Sequence, residues 1–180
     1  MENSYVQRRD QKFPVETGKV RTVSEVFSEG RGGGYQFLLV SKVEGALKYL
    51  VQEYNKLAES LHPISLATFL FYELITIHPF ENGNGRLCRL FLAWSLMRDG
   101  FPFAISFSSR HQKSRNHYMK AIEYRRRTQN SGELNVILVL SMENVVSNYN
   151  ENVRLMKNAS SMATEGIVSN TASGGEVKDA

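Results

Sequence analysis

Between residues 78 and 89 the chain gathers the residue types needed to hold a polyphosphate. The run is His78-Pro79-Phe80-Glu81-Asn82-Gly83-Asn84-Gly85-Arg86-Leu87-Cys88-Arg89, with apolar stretches on both sides. Gly83 and Gly85 let backbone N–H groups approach phosphate oxygens closely, and a helix starting there adds unpaired donors with about half a positive charge. Arg86 and Arg89 stand three residues apart, on one face of such a helix, and a guanidinium forks onto phosphate. His78 stands at the end of the apolar stretch that precedes this loop. Taken singly, each arginine reads as well as a surface charge, and His78 as a helix-terminal histidine with one local bond. Their joint spacing points to an anion site.

The surrounding pattern shows what must present these residues. Val43, Ala46, Leu47, Leu50, Val51, Tyr54, Leu57, Ala58 and Leu61 recur at three- and four-residue steps, predicting a helix after Ser41 that Pro63 closes. Ser65 is placed to cap the next helix, which runs through Leu66, Phe69, Leu70, Tyr72, Glu73, Leu74 and Ile77 and is apolar on most sides, as a buried central helix would be. A third helix starts at Gly83-Asn84-Gly85 and carries Leu87, Leu90, Phe91, Trp94, Leu96 and Met97 until Gly100 and Pro102 stop it. A fourth begins at Ser108 or Ser109 and passes through His117, Tyr118, Ala121 and Ile122 to about Thr128; a last, long one runs from about Glu133 to Lys157. Upstream, Val20 to Phe27 and Tyr35 to Val40 read as the strands of a hairpin whose turn holds Gly32, Gly33 and Gly34. The fold class is therefore all-α, a helical bundle with one small β-hairpin, over residues 18–157. Residues 1–17 are polar and without period and read as a flexible lead-in or the remnant of an upstream helix; residues 158–180 read as a disordered tail.

A chain of 180 residues, 42% hydrophobic and 22% charged, is long enough for one packed core and lies outside the disordered and fibrous classes. The net charge of +4 is small and dispersed. Its densest run, Arg125-Arg126-Arg127, falls at a helix end where cations complement the dipole, so it reads as a solvated terminus and not as a nucleic-acid patch. A lone cysteine, Cys88, excludes an internal disulfide and a cysteine zinc site and suits a reducing compartment. Without a signal-peptide core near the N-terminus or a stretch of about 18 apolar residues, the chain reads as cytoplasmic, with no membrane partner.

The run at 78–89 closely resembles the Fic motif, His-Pro-Phe-x-Asp/Glu-Gly-Asn-Gly-Arg-x-x-Arg, and departs from it at one fixed position, Asn82. Several fixed positions within twelve residues make a specific signal, and the resemblance extends over roughly residues 18–157. It implies a Fic-type helical bundle (Fic/Doc superfamily) and transfer of AMP from ATP to a Ser, Thr or Tyr hydroxyl of a target protein. It makes His78 the general base, and Phe80 the anchor of the loop in the core. Gly83, Asn84 and Gly85 become ligands of the α- and β-phosphates, Arg86 and Arg89 of the β- and γ-phosphates.

The same resemblance sets further expectations. Mg2+ is the expected cofactor, and Asn82 stands where relatives place the acidic ligand that helps bind it; an amide oxygen brings no charge there. The hairpin at 20–40 corresponds to the flap that registers the target main chain by strand pairing. Tyr118, with Arg115, is expected at the adenine, although Tyr118 reads equally as a core tyrosine spaced with Ile122. Many relatives carry an inhibitory helix with the pattern Ser/Thr-x-x-x-Glu-Gly/Asn. Ser147 to Asn152 fits it, with Glu151 set to meet Arg89, and a second match with Glu165 falls in the expected tail. The alternative is a catalytically impaired Fic domain that binds nucleotide or another protein, or one that transfers a different phosphate-containing group. Several relatives dimerise, and nothing in the sequence selects between monomer and homodimer.

Overall fold

A computed structural model describes residues 5–8, 11–14, 18–22, 27–28, 35–105, 107 and 112–172, with side chains over 18–22, 36–105, 107 and 116–159. The chain forms two compact units, residues 1–141 and 142–180. The elements are β1 (Tyr5–Arg8), β2 (Gln11–Pro14), β3 (Phe27–Ser28), β4 (Tyr35–Gln36), α1 (Val40–Leu57), α2 (Pro63–Ile77), α3 (Asn84–Arg98), α4 (Gln112–Thr128) and α5 (Gly132–Ala172).

The core of the first unit is built around α2. Leu66, Ala67, Leu70, Phe71, Tyr72, Leu74 and Ile77 of this helix are all buried, as its all-round apolar sequence requires. It packs chiefly against α3, through residues that include Cys88, Leu92 and Leu96, and also against α1. Each large apolar side chain so removed from water contributes about 1.5–3 kcal/mol. A buried hydrogen bond of 2.8 Å between the Tyr54 hydroxyl and Ser95 Oγ joins α1 to α3. The start of α5 docks on α2: Leu134 and Leu138 are fully buried, Thr68 Oγ1 meets Asn135 Oδ1, and Asn135 Nδ2 donates to Ser65 Oγ at 3.3 Å.

Several boundaries differ from those read in the sequence. Pro63 opens α2 instead of closing α1, which ends in the turn of residues 58–60. Proline suits the first helical position because its missing N–H is one that no helical carbonyl could accept. The cap is accordingly His62, whose Nδ1 accepts from the Ile64 N–H at 3.3 Å, and not Ser65. The last helix runs on to Ala172, beyond the expected end at Lys157. Its extension contains no proline, and residues such as Ala159, Met162, Ala163 and Glu165 favour helix. The first residues, read as lacking regular structure, include β1 paired antiparallel with β2. The expected hairpin appears among the described residues only as the antiparallel pair of β3 with β4, Phe27 opposite Gln36 and Ser28 opposite Tyr35; the glycine turn and residues 23–26 lie outside them. Residues 18–22 are not strand, because the Arg21 N–H is taken by the Pro79 carbonyl at 2.8 Å.

In the second unit α5 continues to Ala172, and its described side chains, up to residue 159, are mostly exposed. Among the described residues no helix is long and apolar enough to cross a membrane.

Candidate active site

The end of α2 follows from its sequence. A residue before proline is sterically kept out of the right-handed helical region, so Pro79 stops the helix at Ile77. His78 takes the left-handed conformation, φ 51° and ψ 60°, and its N–H still closes the last turn on the Leu74 carbonyl at 3.0 Å. For a residue with a Cβ this conformation costs about 1–2 kcal/mol, so the surroundings must hold it.

They do so at ring and backbone. The imidazole lies stacked on Phe37, centroids 3.8 Å apart and planes 26° from parallel. Its Nδ1 sits 3.4 Å from the Ile75 carbonyl. The His78 carbonyl accepts from Arg21 Nε at 2.7 Å, and Arg21 is itself 1% exposed. Burial of the ring pushes the imidazole pKa from 6.5 down to about 4, with nearby Arg21 and Arg126 adding repulsion and the Ile75 contact opposing the fall. The histidine of the folded chain is thus neutral throughout the physiological range.

The following loop is closed by Asn84. Its Oδ1 accepts from the Phe80 N–H at 3.0 Å and its Nδ2 donates to the Phe80 carbonyl at 2.6 Å, while the residue is 2% exposed. The Asn84 side chain is committed to this brace, so any phosphate contact from residue 84 comes from its backbone. Gly83 follows in a left-handed conformation, φ 85°, as the residue preceding α3, and its carbonyl accepts from the N–H groups of both Arg86 and Leu87 at 3.0 Å. The N–H groups before these have no intrahelical acceptor, and donors of this kind at a helix start suit an anion.

The two arginines fold back toward the start of α3. A Cβ placed on Gly83 would lie 3.4 Å from Arg86 Nη2, and one placed on Gly85 would lie 3.4 Å from Arg89 Nη1. Glycine at these positions therefore leaves room for guanidinium groups beside the backbone donors. Arg86 is exposed and Arg89 half-buried, so both cations can be reached from solvent.

Asn82, the expected metal position, is exposed, and its Oδ1 accepts from the Gly83 N–H at 2.7 Å. Among the described residues no group of three His, Cys, Asp or Glu side chains could hold a metal ion. The loop thus offers a neutral amide oxygen already engaged with backbone, a poor fit to the charged oxygens that a protein-held magnesium prefers.

Other expected site residues are placed elsewhere. Tyr118 is a core residue: it is 7% exposed, stacks on Phe107 with centroids 5.7 Å apart and meets the edge of Phe71 at 6.3 Å. Its ring is packed against these aromatics, which agrees with the core reading of Tyr118 spaced with Ile122. Arg115 lies in α4 but its side chain is outside the described residues. Ser147 and Glu151 belong to the second unit; both are exposed, and Glu151 pairs loosely with Arg154 at 3.8 Å, one turn along α5. Of the three arginines read as a solvated helix end, Arg125 is instead anchored. Its guanidinium donates to Ser131 Oγ and to Glu73 Oε1, the latter at 3.3 Å, and stands 3.8 Å above the Tyr72 ring. Arg127 alone of the three is fully exposed. Cys88 is buried, and burial pushes its thiol up to about 12, which keeps it in the neutral form.

Sequence reading passed over Arg21 and Phe37, which hold His78. Neither lies near the motif, and only the isolated charge of Arg21 among Val20, Thr22 and Val23 hinted at an unusual environment. Phe37 and Ile77 also line an open groove of about 770 Å3, walled by residues 36–39, α1 and α2.

Known proteins resemble this chain over the same region. A Fido domain-containing protein of Dictyostelium discoideum is 28% identical over 121 residues, covering 66% of this chain and 85% of that protein. A protein adenylyltransferase Fic of Drosophila persimilis is 38% identical over 92 residues, 49% of this chain, and one of Nematostella vectensis is 50% identical over 58 residues, 32% of this chain. The matched segments span only 17% and 14% of those two enzymes. Among solved structures, a Fic domain-containing signaling protein of Bacteroides thetaiotaomicron superposes with a TM-score of 0.58 at 25% identity, covering 71% of this chain and 51% of that one. Fic-1 of C. elegans gives 0.62 at 25% identity, covering 80% and 39%. The Fic/DOC family profile matches residues 2–96, more than half of the chain and the whole of the loop just described, and the chain belongs to that family.

Proposed function

We propose that this chain transfers AMP from ATP to a hydroxyl group of a target protein, the activity for which its adenylyltransferase relatives are named. The observation that carries the reading is the neutral, stacked His78 set one short loop before a helix N-terminus over which Arg86 and Arg89 fold back. In this reading Nδ1 keeps its proton toward the Ile75 carbonyl, which leaves Nε2 as the base. The target hydroxyl gives its proton to Nε2 as its oxygen bonds to the α-phosphorus. The bond from that phosphorus to the bridging oxygen breaks, and pyrophosphate leaves with the electron pair. Arg86, Arg89 and the first N–H groups of α3 hold the phosphates, placing the α-phosphorus for attack and stabilising the charge on the leaving group.

A base with a pKa of about 4 takes a proton only weakly. Binding of a polyphosphate brings negative charge to the site and raises that value, so the nucleotide itself strengthens the base. No step is assigned to magnesium. An ion arriving on the nucleotide would gain from Asn82 one neutral oxygen, and the charge of the phosphates falls mainly to the two arginines.

The expected flap at 20–40 is the segment we assign to target docking, with β4 and the extended chain that leaves it, to residue 39, as the part against which a target main chain could pair. The Ser147–Asn152 pattern is retained as a candidate brake on the sequence match alone.

Intact-mass spectrometry of the chain incubated with ATP and magnesium, with and without candidate targets, tests the reading. AMP addition that is lost in His78→Ala and sharply reduced in Arg86→Ala and Arg89→Ala supports it; addition that persists in His78→Ala refutes the base assignment. A second reading, nucleotide binding without turnover, is favoured by the neutral Asn82, and predicts modification only in Asn82→Asp.

A further inference from the structure

Arg21 and His78 are 57 residues apart in sequence and joined by a hydrogen bond of 2.7 Å, from Arg21 Nε to the His78 carbonyl. The same guanidinium donates through Nη2 to the Leu38 carbonyl and makes a long contact of 3.5 Å to the Ile77 carbonyl. The Arg21 backbone N–H completes the set by donating to the Pro79 carbonyl at 2.8 Å. Three consecutive carbonyls, at 77, 78 and 79, are thus gripped by one residue, and a fourth, at 38, is tied to them.

We propose that Arg21 is a positioning residue of this site: it locks the left-handed turn at His78 to the chain leaving β4, so that a target strand laid along that chain is held in register with the base. The proposal rests on the AMP-transfer reading for its functional consequence.

Physical chemistry favours it over a plain surface-burial role. A buried cation is costly unless its donors find partners, and here they find the carbonyls that the end of α2 leaves without helical donors. Positive charge at a helix C-terminus is also favourable. Arginine stays charged even where burial lowers its pKa, as it does here. Lysine could not replace it, since one ammonium on a flexible stem cannot span carbonyls on both segments with a fixed fork.

A second link runs in parallel. Phe37, next to Leu38, stacks on the imidazole itself. The two adjacent residues 37 and 38 therefore control the base from two sides, one through the ring and one through Arg21 to the backbone. Any shift of this segment moves both. That is the mechanical coupling a transferase needs if the hydroxyl is delivered by a strand pairing with residues 35–39.

The test uses the full chain with Arg21→Lys and Arg21→Met, and Phe37→Leu as an independent variant should the arginine variants fail to fold. Two readouts are taken besides the thermal midpoint: the ring resonances and titration of His78 by NMR, which need no activity, and the kcat and KM of AMP transfer. We expect folded Arg21→Lys and Phe37→Leu to shift the His78 resonances and to lower kcat by about 100-fold, the scale of a misplacement of about 1 Å, with KM for ATP unchanged. Unchanged His78 resonances and unchanged kcat in a folded variant would overturn the proposal. So would a loss of activity matched by the unfolded fraction with His78 unaltered in the folded part. If the unmodified chain transfers no AMP under any condition, the transfer reading fails by itself, and the His78 resonances still decide the positioning role: a shift in folded Arg21→Lys, which keeps both the charge and the Phe37 ring, supports it and no shift overturns it.

Discussion

Lowering the pH from 7 to 4 should destabilise the folded chain through one residue, His78. Its imidazole is pushed from 6.5 to about 4, first because burial strips water from the charged form, then through repulsion from Arg21 and Arg126, with the Ile75 contact acting the other way. In the unfolded chain the same group takes up its proton near the ordinary value of about 6.5. Between 6.5 and 4 the unfolded state therefore binds more protons than the folded state, and stability rises with pH across that window. The penalty is absent above 6.5, grows as pH falls, and is complete below 4, where both states are protonated. At about 1.36 kcal/mol for each tenfold change in proton affinity, the displacement amounts to about 3 kcal/mol. Urea unfolding at closely spaced pH values, for the unmodified chain and for His78→Ala, isolates it: the difference between the two curves should slope across this window and flatten outside it. If the two curves run parallel, or if NMR places the His78 titration near 6.5, burial does not hold this base neutral. A linked result is expected in catalysis. The acid limb of kcat/KM, which reports the free enzyme, should lie near pH 4, and that of kcat should lie higher once nucleotide is bound.

Tyr118→Leu should cost about 1–3 kcal/mol of stability through loss of its contacts with Phe107 and Phe71, and leave ATP affinity unchanged in calorimetry; weakened ATP binding in a folded variant would return this residue to the site. Asn82→Asp should tighten ATP binding in the presence of magnesium by about tenfold, the scale of one charged contact, and not in its absence. Equal affinities with and without the metal would show that this position does not face the ion. Glu151→Gly should raise the rate of AMP transfer if residues 147–152 act as a brake, and an unchanged rate removes that role.

Much of the local geometry was legible in the sequence. The three- and four-residue spacing of apolar positions announced α1 and α2, and glycine before polar and then apolar residues announced the start of α3. Pro79 by itself ends α2 and turns His78 out of the helix, since the restriction on a residue before proline acts between neighbours. The glycines of the loop were equally readable, because a positive φ at 83 and space beside Arg86 and Arg89 are needs that only small residues meet. Where local signals were ambiguous the reading slipped. Pro63 punctuates a helix start as readily as a stop, and serine-rich chain without proline, as beyond Asn158, is compatible with a helix that continues.

The motif determined which groups stand together at the start of α3, because all of them lie within twelve residues and their geometry is set by one turn and one helix start. Their environment was decided by packing between distant segments. Whether Tyr118 faced a ligand or the core depended on Phe71 and Phe107, and whether Arg125 was solvated depended on Glu73 and Tyr72. Above all, His78 is pushed toward its neutral form by burial, with Phe37 stacked on its ring and Arg21 bonded to its carbonyl from far along the chain. Spacing along a chain specifies a periodicity and a turn; it carries no record of which buried partner, dozens of residues away, removes water from a titrating group, and only the folded core supplies that.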